Sequence, residues 1–327
     1  LFFINFGLDL PATKEIAENI KNKDILENIL SSVFTAKTYL FVLSAIVFTV
    51  FLFTVPVFNK HKIIFILCFL SIYSFVLFPQ WFFQGIQKMK IVTYIQLGIK
   101  ILSLPLIFFI VKEKKDLAIY TAIVSGTAIL GSIIAYMIII LRYKIKISFL
   151  RIKSLKKWFV LAQPFFYSSI AGSIKEYSIP IIIGSFFGMR EVAIYDLANK
   201  IIIIPRTLFM SVNAAIFPKL IVNIRNTVVK KIILIEALVS SLVVVFIIIF
   251  GKLIVKVMGG SEMLNSYYLA IFLSITVISW LVVGAFINFV FIPNNRNYFI
   301  TANQIIAMLS FFILCIGGLL LFPNILV

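Results

Sequence analysis

Apolar runs about as long as a lipid bilayer is thick recur along the whole chain. A membrane-spanning helix needs about 20 mostly apolar residues, and these runs are continuous rather than alternating, which favours helices over strands. The pattern predicts an all-α polytopic membrane protein with about nine complete spans and a partial one. The partial span covers residues 1–8, and the complete spans cover residues 38–58, 63–79, 92–111, 117–141, 158–187, 192–217, 231–257, 266–292 and 298–322.

Two connections between the predicted spans are longer than the rest, residues 9–37 and residues 142–157. The first contains both signs of charge and is predicted to form a helix at the membrane interface. The second lies in the stretch LRYKIKISFLRIKSLKKWF (141–159), which mixes basic and apolar residues as a helix lying on a membrane surface does. A basic anchor that only fixes the orientation of the chain explains the same pattern without a further role.

Composition supports the membrane assignment and narrows the choice of partners. Hydrophobic residues make up 62% of the 327 residues and charged residues 13%, whereas soluble domains carry about 25% charged residues. The net charge of +18 is spread over short loops, which predicts contact with anionic lipid headgroups and not with nucleic acid. Lysine and arginine concentrate in alternate loops, above all 142–157 and 218–230, so these loops are predicted to be cytoplasmic.

Residues that carry enzyme chemistry are sparse in this sequence. The one histidine, His61, lies in a predicted turn, and Cys68 and Cys315 lie inside apolar runs, where cysteine behaves as a small core residue. The sequence contains no phosphate-binding glycine motif and no spacing typical of metal ligands. It therefore predicts a protein that is not an enzyme and that uses no metal and no cofactor.

One predicted span has a polar face that runs through the membrane. The stretch YDLANKIIIIPRTLF (195–209) places three ionisable side chains in an apolar run, where each costs about 2.5–3.5 kcal/mol at the centre of a bilayer. At about 100° per residue, the polar side chains of residues 192–217 share an arc of about 160°. They are Tyr195, Asp196, Asn199, Lys200, Arg206, Thr207, Ser211 and Asn213. Asp196 and Lys200 are spaced i,i+4 and can form an ion pair.

The preceding span also carries charge, because Lys175 and Glu176 follow a row of serines. One interpretation is a buried network in which Glu176 pairs with Lys200 or Arg206 and holds the helices together. The other is a hydrated cavity with surplus positive charge, which would bind an anionic substrate such as a phosphate group. The candidate substrate-binding residues are Lys175, Asn199, Lys200, Arg206 and Asn213, and the candidates for ion coupling or ion pairing are Glu176 and Asp196.

The stretch FPQWFFQGIQKMKIVTY (78–94) also allows two interpretations. Trp81 and the two phenylalanines after it fit an interfacial aromatic belt, which needs no further function. The alternative is a cytoplasmic gate or a contact with lipid headgroups that involves Trp81, Gln84, Lys88 and Lys90.

This stretch, together with FGLDLPATKEIAENIKNKDILENILSSVFTAK (6–37) and EVAIYDLANKI (191–201), resembles bacterial O-antigen flippases of the Wzx type. Those flippases are similar to the wider multidrug/oligosaccharidyl-lipid/polysaccharide exporter superfamily. The resemblance implies a fragment of a twelve-helix transporter with two six-helix lobes. Residues 1–141 would form the N-terminal lobe without its first helix, residues 142–157 a basic cytoplasmic linker, and residues 158–327 the C-terminal lobe without its last helix.

The resemblance also implies a function. A flippase of this kind moves undecaprenyl-pyrophosphate-linked oligosaccharide repeat units, of O-antigen or another surface polysaccharide, across the bacterial inner membrane by alternating access through a central cavity. Its partners would be the lipid-linked oligosaccharide, membrane lipids, a polysaccharide polymerase and a chain-length regulator. Three alternatives are a multidrug or small-molecule exporter of the same superfamily, a membrane polysaccharide polymerase and a structural membrane subunit.

Overall fold

The computed structural model describes residues 2–221 and 226–321, and the regular elements of this part are all helical. Helices α1 to α13 are, in chain order, Phe2–Asn5, Asp9–Glu18, Lys23–Thr54, Pro56–Lys60, Lys62–Leu77, Gln80–Gly85, Met89–Ile110, Leu117–Leu141, Lys156–Phe186, Met189–Ile221, Asn226–Gly259, Asn265–Phe286 and Tyr298–Leu321. Short 3₁₀ turns lie at Lys114–Asp116, Ile152–Leu155 and Ser261–Met263, and a π-helical turn at Ile287–Phe291 follows α12. Residues 222–225 of the predicted cytoplasmic loop, and the predicted end of the last span at residue 322, lie outside the described residues.

Eight helices in the described residues are long and apolar enough to cross a membrane, judged by length and composition alone. They are Lys23–Thr54, Lys62–Gly85, Met89–Ile110, Leu117–Leu141, Met189–Leu220, Thr227–Gly259, Asn265–Phe291 and Tyr298–Gly318. These helices confirm the predicted all-α polytopic membrane protein. The predicted span 158–187 forms the 31-residue helix α9, which is long enough but more polar, because serines and the adjacent Lys175 and Glu176 interrupt its apolar residues.

The chain forms two compact units, and the boundary between them falls inside α9, between Phe166 and Tyr167. In the first unit, an apolar core joins α2, α3, α6, α7, α8 and the start of α9. In the second unit, an apolar core joins α10, α11 and α12. The division into lobes around residues 142–157 remains a prediction.

The N-terminal part of the chain differs from the predicted partial span and interfacial helix. α1 is a single turn, α2 covers only part of residues 9–37, and α3 begins at Lys23, well before the predicted start at residue 38. The Asn22 side chain caps α3 by accepting a hydrogen bond from the Ile25 N–H at 3.3 Å. The first turns of α3 carry charges that make them look like a loop, but apolar residues at helical spacing pack into the core. These residues are Leu26, Ile29, Leu30 and Val33.

A close approach at Gly7 sets the path of the chain between α1 and α2. Gly7 has a φ of +70°, and a Cβ on it would lie 2.5 Å from the Cβ of Phe165 in α9. The neighbouring Phe6 ring stacks on the Phe166 ring, with the two centroids 4.1 Å apart. Only glycine satisfies both the backbone conformation and the lack of space, so this residue lets the start of α9 pack against the N-terminus.

The aromatic motif of α6 lies in the core of the first unit. Trp81 and the two phenylalanines after it are buried. α6 packs so closely against α2 that a Cβ on Gly85 would lie 2.5 Å from Cγ2 of Ile16. The Thr13 hydroxyl of α2 also donates a hydrogen bond to the Trp81 carbonyl oxygen at 3.3 Å. The interfacial aromatic belt is therefore wrong, because large rings at this position gain more by filling the helix–helix contact than by facing headgroups.

The basic segment after α8 is extended and not helical, so the predicted surface helix is wrong for most of its length. Residues 145–151, here named the extended segment, run along α3. The backbone N–H of Lys146 donates to Oε1 of Glu27 at 3.0 Å. The N–H of Ser148 donates to Oγ of Ser31 at 3.1 Å, and the N–H of Leu150 donates to Oγ1 of Thr35 at 3.2 Å. Helix begins again only at Ile152–Leu155 and α9.

The match between the two periodicities explains this arrangement. Every second residue of an extended chain advances about 6.6 Å, and every fourth residue of an α-helix advances about 6 Å. The acceptors on α3 are spaced i, i+4 and i+8, so each meets one alternate N–H of the extended segment. The basic side chains of the region stay exposed: Arg142, Lys144, Lys146, Arg151, Lys153, Lys156 and Lys157.

Removing the α3 hydroxyls should loosen the extended segment without unfolding the first unit. We expect Ser31→Ala with Thr35→Val to speed amide hydrogen exchange at Ser148 and Leu150, because each lost bond is worth about 0.5–1.5 kcal/mol. Exchange measured by mass spectrometry over peptides that cover residues 145–151 tests this. Thr38→Val is the matched control, since its hydroxyl donates only to the Phe34 carbonyl of its own helix. Equal exchange in the double variant and the control would contradict the assignment.

Candidate functional site

The polar residues of α10 divide into two sets in the structure. One set, named here the exposed strip, consists of the exposed residues Asp196, Lys200, Thr207 and Ser211. The residues of the other set are partly or fully buried: Tyr195, Asn199, Arg206 and Asn213. The exposed strip lies within about 60° of the helix circumference. The predicted polar face is thus one exposed strip beside a row of partly or fully buried polar residues.

An ion pair forms the charged end of the exposed strip. Nζ of Lys200 lies 2.7 Å from Oδ2 of Asp196, and the two side chains are 60% and 57% exposed. An exposed i,i+4 pair contributes little to stability. In a membrane-spanning helix, exposed charges require water or a charged ligand around them. The pair therefore favours a hydrated surface on this side of α10 and not a packing role.

Arg206 is held by α12. Its Nη2 donates a hydrogen bond to Oγ1 of Thr276, and its guanidinium lies over the Trp280 ring at 5.9 Å from the centroid. A cation over an indole ring is stabilised by the negative face of the ring. The Nε of Arg206 is buried without a hydrogen-bond partner in the described part of the chain. One N–H donor of this guanidinium therefore makes no hydrogen bond within the described residues.

The acidic neighbour that the sequence suggested for Arg206 is close but not in direct contact. Glu176 of α9 and Tyr195 of α10 both interact electrostatically with Arg206. Among the described residues, however, no ion pair within 4 Å joins Glu176 to Arg206 or to Lys200. The buried network of the first interpretation is therefore not formed as a set of direct salt bridges.

The polar side of α9 also contacts a residue that is not among the predicted site residues. Lys175 is partly buried and Glu176 is exposed, and adjacent residues on a helix point about 100° apart. One turn earlier, a Cβ on Gly172 would lie 3.6 Å from Oε1 of Gln304 in α13. Gln304 is a polar residue inside a predicted span, which was the only signal available in the sequence.

Asn213 does not face the same way as the exposed strip. It is buried, and its side chain forms a hydrogen bond with the carboxyl group of Glu236 in α11. Glu236 is not among the predicted site residues, although it is an isolated acidic residue in the apolar run KKIILIEALVSSLVVVF. Asn213 therefore belongs to a contact between α10 and α11.

The other predicted interface residues belong to the first unit. Trp81 is buried, Gln84 is partly buried, and Lys88 and Lys90 are exposed around the turn between α6 and α7. The structure thus separates Trp81 from the two lysines, and a gate formed by all four remains a prediction. In the residues that the structure describes, no group of three His, Cys, Asp or Glu side chains is placed to hold a metal ion.

Comparison with known proteins identifies the family. The family described as "Polysaccharide biosynthesis protein" matches residues 1–224 of the chain. The chain belongs to this family. Two relatives of this chain are both named "Putative O-antigen transporter". The relative from Escherichia coli (strain K12) is 30% identical over 243 residues, which is 72% of this chain and 57% of its own length. The relative from Shigella dysenteriae is 29% identical over 221 residues, which is 66% of this chain and 54% of its own length.

The chain spans just over half the length of these relatives. The chain also shares its fold with solved structures. A crystal structure of a MATE mutant has a TM-score of 0.72 and 14% identity, and the match covers 99% of this chain and 78% of that chain. The outward-facing conformation of a multidrug resistance MATE family transporter of the MOP superfamily has a TM-score of 0.69 and 14% identity, covering 94% of this chain and 74% of that chain. The family and the fold together confirm the resemblance that the sequence motifs carried.

Proposed function

We propose that this protein is a flippase of the bacterial inner membrane. Its substrate is an undecaprenyl-pyrophosphate-linked oligosaccharide, the repeat unit of O-antigen or of another surface polysaccharide. The observation that carries the proposal is the exposed strip of α10, a charged and hydroxyl-bearing surface on a helix that is long and apolar enough to cross a membrane. The family and the names of the two relatives support a role in polysaccharide export.

The exposed strip and the other polar residues of α9 and α10 together suit an amphipathic anion. Lys200 and Lys175 provide point charges for a pyrophosphate, and the guanidinium of Arg206, held by Thr276, provides a cation in a fixed position. Hydroxyl and amide groups at Thr207 and Asn199 suit the sugars. Exposed apolar side chains lie on the same helix, namely Ile203, Ile204 and Leu208, and an isoprenoid tail can stay against them or in lipid.

Pro205 provides the helix with a point of bending. It lies inside α10, between Lys200 and Ser211, and a proline inside a helix removes one backbone hydrogen bond and commonly kinks the helix. A bend there changes the direction of the two halves of the exposed strip relative to each other. We propose that this bend contributes to alternating access, the mechanism that transporters with internal repeats use.

The proposed flippase also has proposed partner proteins. The protein would receive its substrate from the inner leaflet and deliver it to a polysaccharide polymerase that works with a chain-length regulator.

The competing function is export of small molecules, which is favoured by the fold shared with a multidrug resistance transporter. The match to the polysaccharide family over residues 1–224 favours the lipid-linked oligosaccharide.

A charge-removal experiment at Lys200 tests the proposal. In cells whose own copy of the gene is replaced, we expect Lys200→Gln to lower surface polysaccharide several-fold while lipid-linked repeat units accumulate on the cytoplasmic side. The reason is that the variant loses one cationic contact to the pyrophosphate, and because Lys200 is exposed and also pairs with Asp196, this contact is worth about 0.5–1.5 kcal/mol. Surface polysaccharide is measured on gels, and protein level by immunoblot.

Lys252→Gln is the matched control, because Lys252 is an exposed lysine of a spanning helix that lies outside the exposed strip. The control should leave export unchanged. Normal export in Lys200→Gln, or an equal defect in both variants, would contradict the proposed site. A loss of resistance to exported drugs, with normal surface polysaccharide, would favour the small-molecule exporter.

A further inference from the structure

The buried acid of α11 has no role in the site described above. Glu236 is only 6% exposed, and it lies on the buried stripe of α11 that faces the core of the second unit. Other buried members of this stripe are Val229, Ser240, Ile247 and Val255. A carboxyl group in such a stripe is costly unless its oxygens are bonded or its charge is removed.

The two carboxyl oxygens of Glu236 have different surroundings. One accepts a hydrogen bond from the Asn213 side chain of α10. Oε2 is buried and has no hydrogen-bond partner among the described residues. On the same face of α11, Oγ of Ser240 donates to the Ala237 carbonyl at 3.0 Å. The unpartnered oxygen is therefore the position at which a proton can sit and make the group neutral.

The ionisable groups on the helices around Glu236 do not compensate a negative charge. On α12 the ionisable residues are Tyr267 and Tyr268 in its first turn, and the Tyr267 hydroxyl donates to the Ile248 carbonyl, far along α11 from Glu236. Glu262 lies in the 3₁₀ turn beyond the end of α11. On α10, Arg206 is bonded to Thr276 of α12. The remaining lysines nearby, Lys219, Lys230 and Lys231, are exposed. No described residue forms an ion pair with Glu236.

We propose that Glu236 is a proton-binding site and that its carboxyl group is protonated in the conformation seen here. The ligand is a proton and not a metal cation, because alkali and alkaline-earth ions require several converging oxygens, whereas this position offers one carboxyl group and one amide. Release of the proton to water leaves a carboxylate that needs a new partner for Oε2. The α10–α11 contact through Asn213 must then open to admit water.

This step couples the proton to the helix that carries the exposed strip. Asn213 and Lys200 lie on α10, on either side of Pro205. A change in the Glu236–Asn213 contact therefore acts on the C-terminal half of α10 and changes its angle to the half that carries the ion pair. The proton-binding inference concerns the protein alone and holds whatever substrate the exposed strip carries.

Infrared spectroscopy of the purified protein in lipid nanodiscs, without substrate, tests the inference directly. At neutral pH we expect the carbonyl band of a protonated carboxylic acid, which shifts in heavy water. Glu236→Gln should remove this band. Glu176→Gln is the matched control, because Glu176 is an exposed glutamate of α9, and it should retain the band. In Asn213→Ala the band should persist but move in frequency, since the acid loses its hydrogen bond.

Three results would overturn the inference. One is a spectrum without the acid band in the wild type, and another is a band that survives Glu236→Gln. The third is a band that appears only after sodium is removed, which would make the position a cation site. If Glu236→Gln fails to fold, the band shift in Asn213→Ala decides the question. Because no substrate is present, failure of this experiment leaves the proposed flippase untouched, and failure of the Lys200 experiment leaves the proton site untouched.

Discussion

Arg206→Ala should lower surface polysaccharide export about tenfold or more while the protein still accumulates in the membrane. The guanidinium is a partly buried cation whose position is fixed by Thr276 and Trp280 of α12. A hydrogen bond to a charged group is worth about 1.5–3 kcal/mol, which corresponds to a factor of about ten or more in rate. Arg206→Lys should restore export only in part, because a point charge replaces a planar fork with several donors.

The contacts of Arg206 with α12 define the control for this experiment. Thr276→Val removes the acceptor of the Nη2 hydrogen bond but retains the cation and its position over Trp280. If Arg206 binds substrate, Thr276→Val should retain most of the export that Arg206→Ala loses. If Arg206 only holds α10 to α12, both variants should show the same defect and the same fall in protein level, and that result would contradict a substrate-binding role.

A second large effect is expected at the buried ion pair of the first unit. Nζ of Lys37 lies 2.6 Å from Oδ1 of Asp9, and the Lys37 side chain is 3% exposed whereas the Asp9 side chain is 37% exposed. Asp9→Asn leaves a buried ammonium without its counter-charge and should cost about 3–5 kcal/mol in the free energy of unfolding. Lys37→Met should cost less, because the carboxylate left behind can be hydrated and the apolar chain replaces the lysine stem.

Unfolding of the purified protein in detergent measures this asymmetry. The double variant Asp9→Asn with Lys37→Met should recover most of the lost stability, because it removes both charges together. Lys115→Met is the matched control, since Lys115 pairs with Glu113 at 2.9 Å but both side chains are largely exposed, and such pairs contribute about 0–1 kcal/mol. Equal losses for Asp9→Asn and Lys115→Met would show that Lys37 is hydrated in solution.

Several features of the protein were predictable from sequence because they depend on local properties. Membrane-spanning helices follow from the length of an apolar run and the thickness of a bilayer. The polar face of α10 follows from the helical period, and so does the i,i+4 spacing of Asp196 and Lys200. The family motifs in residues 6–37, 78–94 and 191–201 added the fold, which the solved MATE structures share.

Other features depend on which helix lies opposite, and the sequence does not state this. The sequence of the aromatic residues after Pro79 is compatible with a position facing lipid headgroups and with a position facing a neighbouring helix. The close packing of Gly85 on Ile16 shows that they lie in the core of the first unit. The residues after α8 look amphipathic, yet they are extended because α3 offers acceptors at a matching interval.

In the candidate site, too, some features follow from the sequence and others depend on tertiary contacts. The sequence by itself determined that α10 carries a charged and hydroxyl-bearing face inside an apolar span. Only the tertiary structure decided that Lys200 is exposed, that Arg206 meets Thr276, and that Asn213 turns away to Glu236. The physical reason is that the helical period places a side chain on a face of its own helix, whereas hydrogen bonding and burial are set by groups that are distant along the chain.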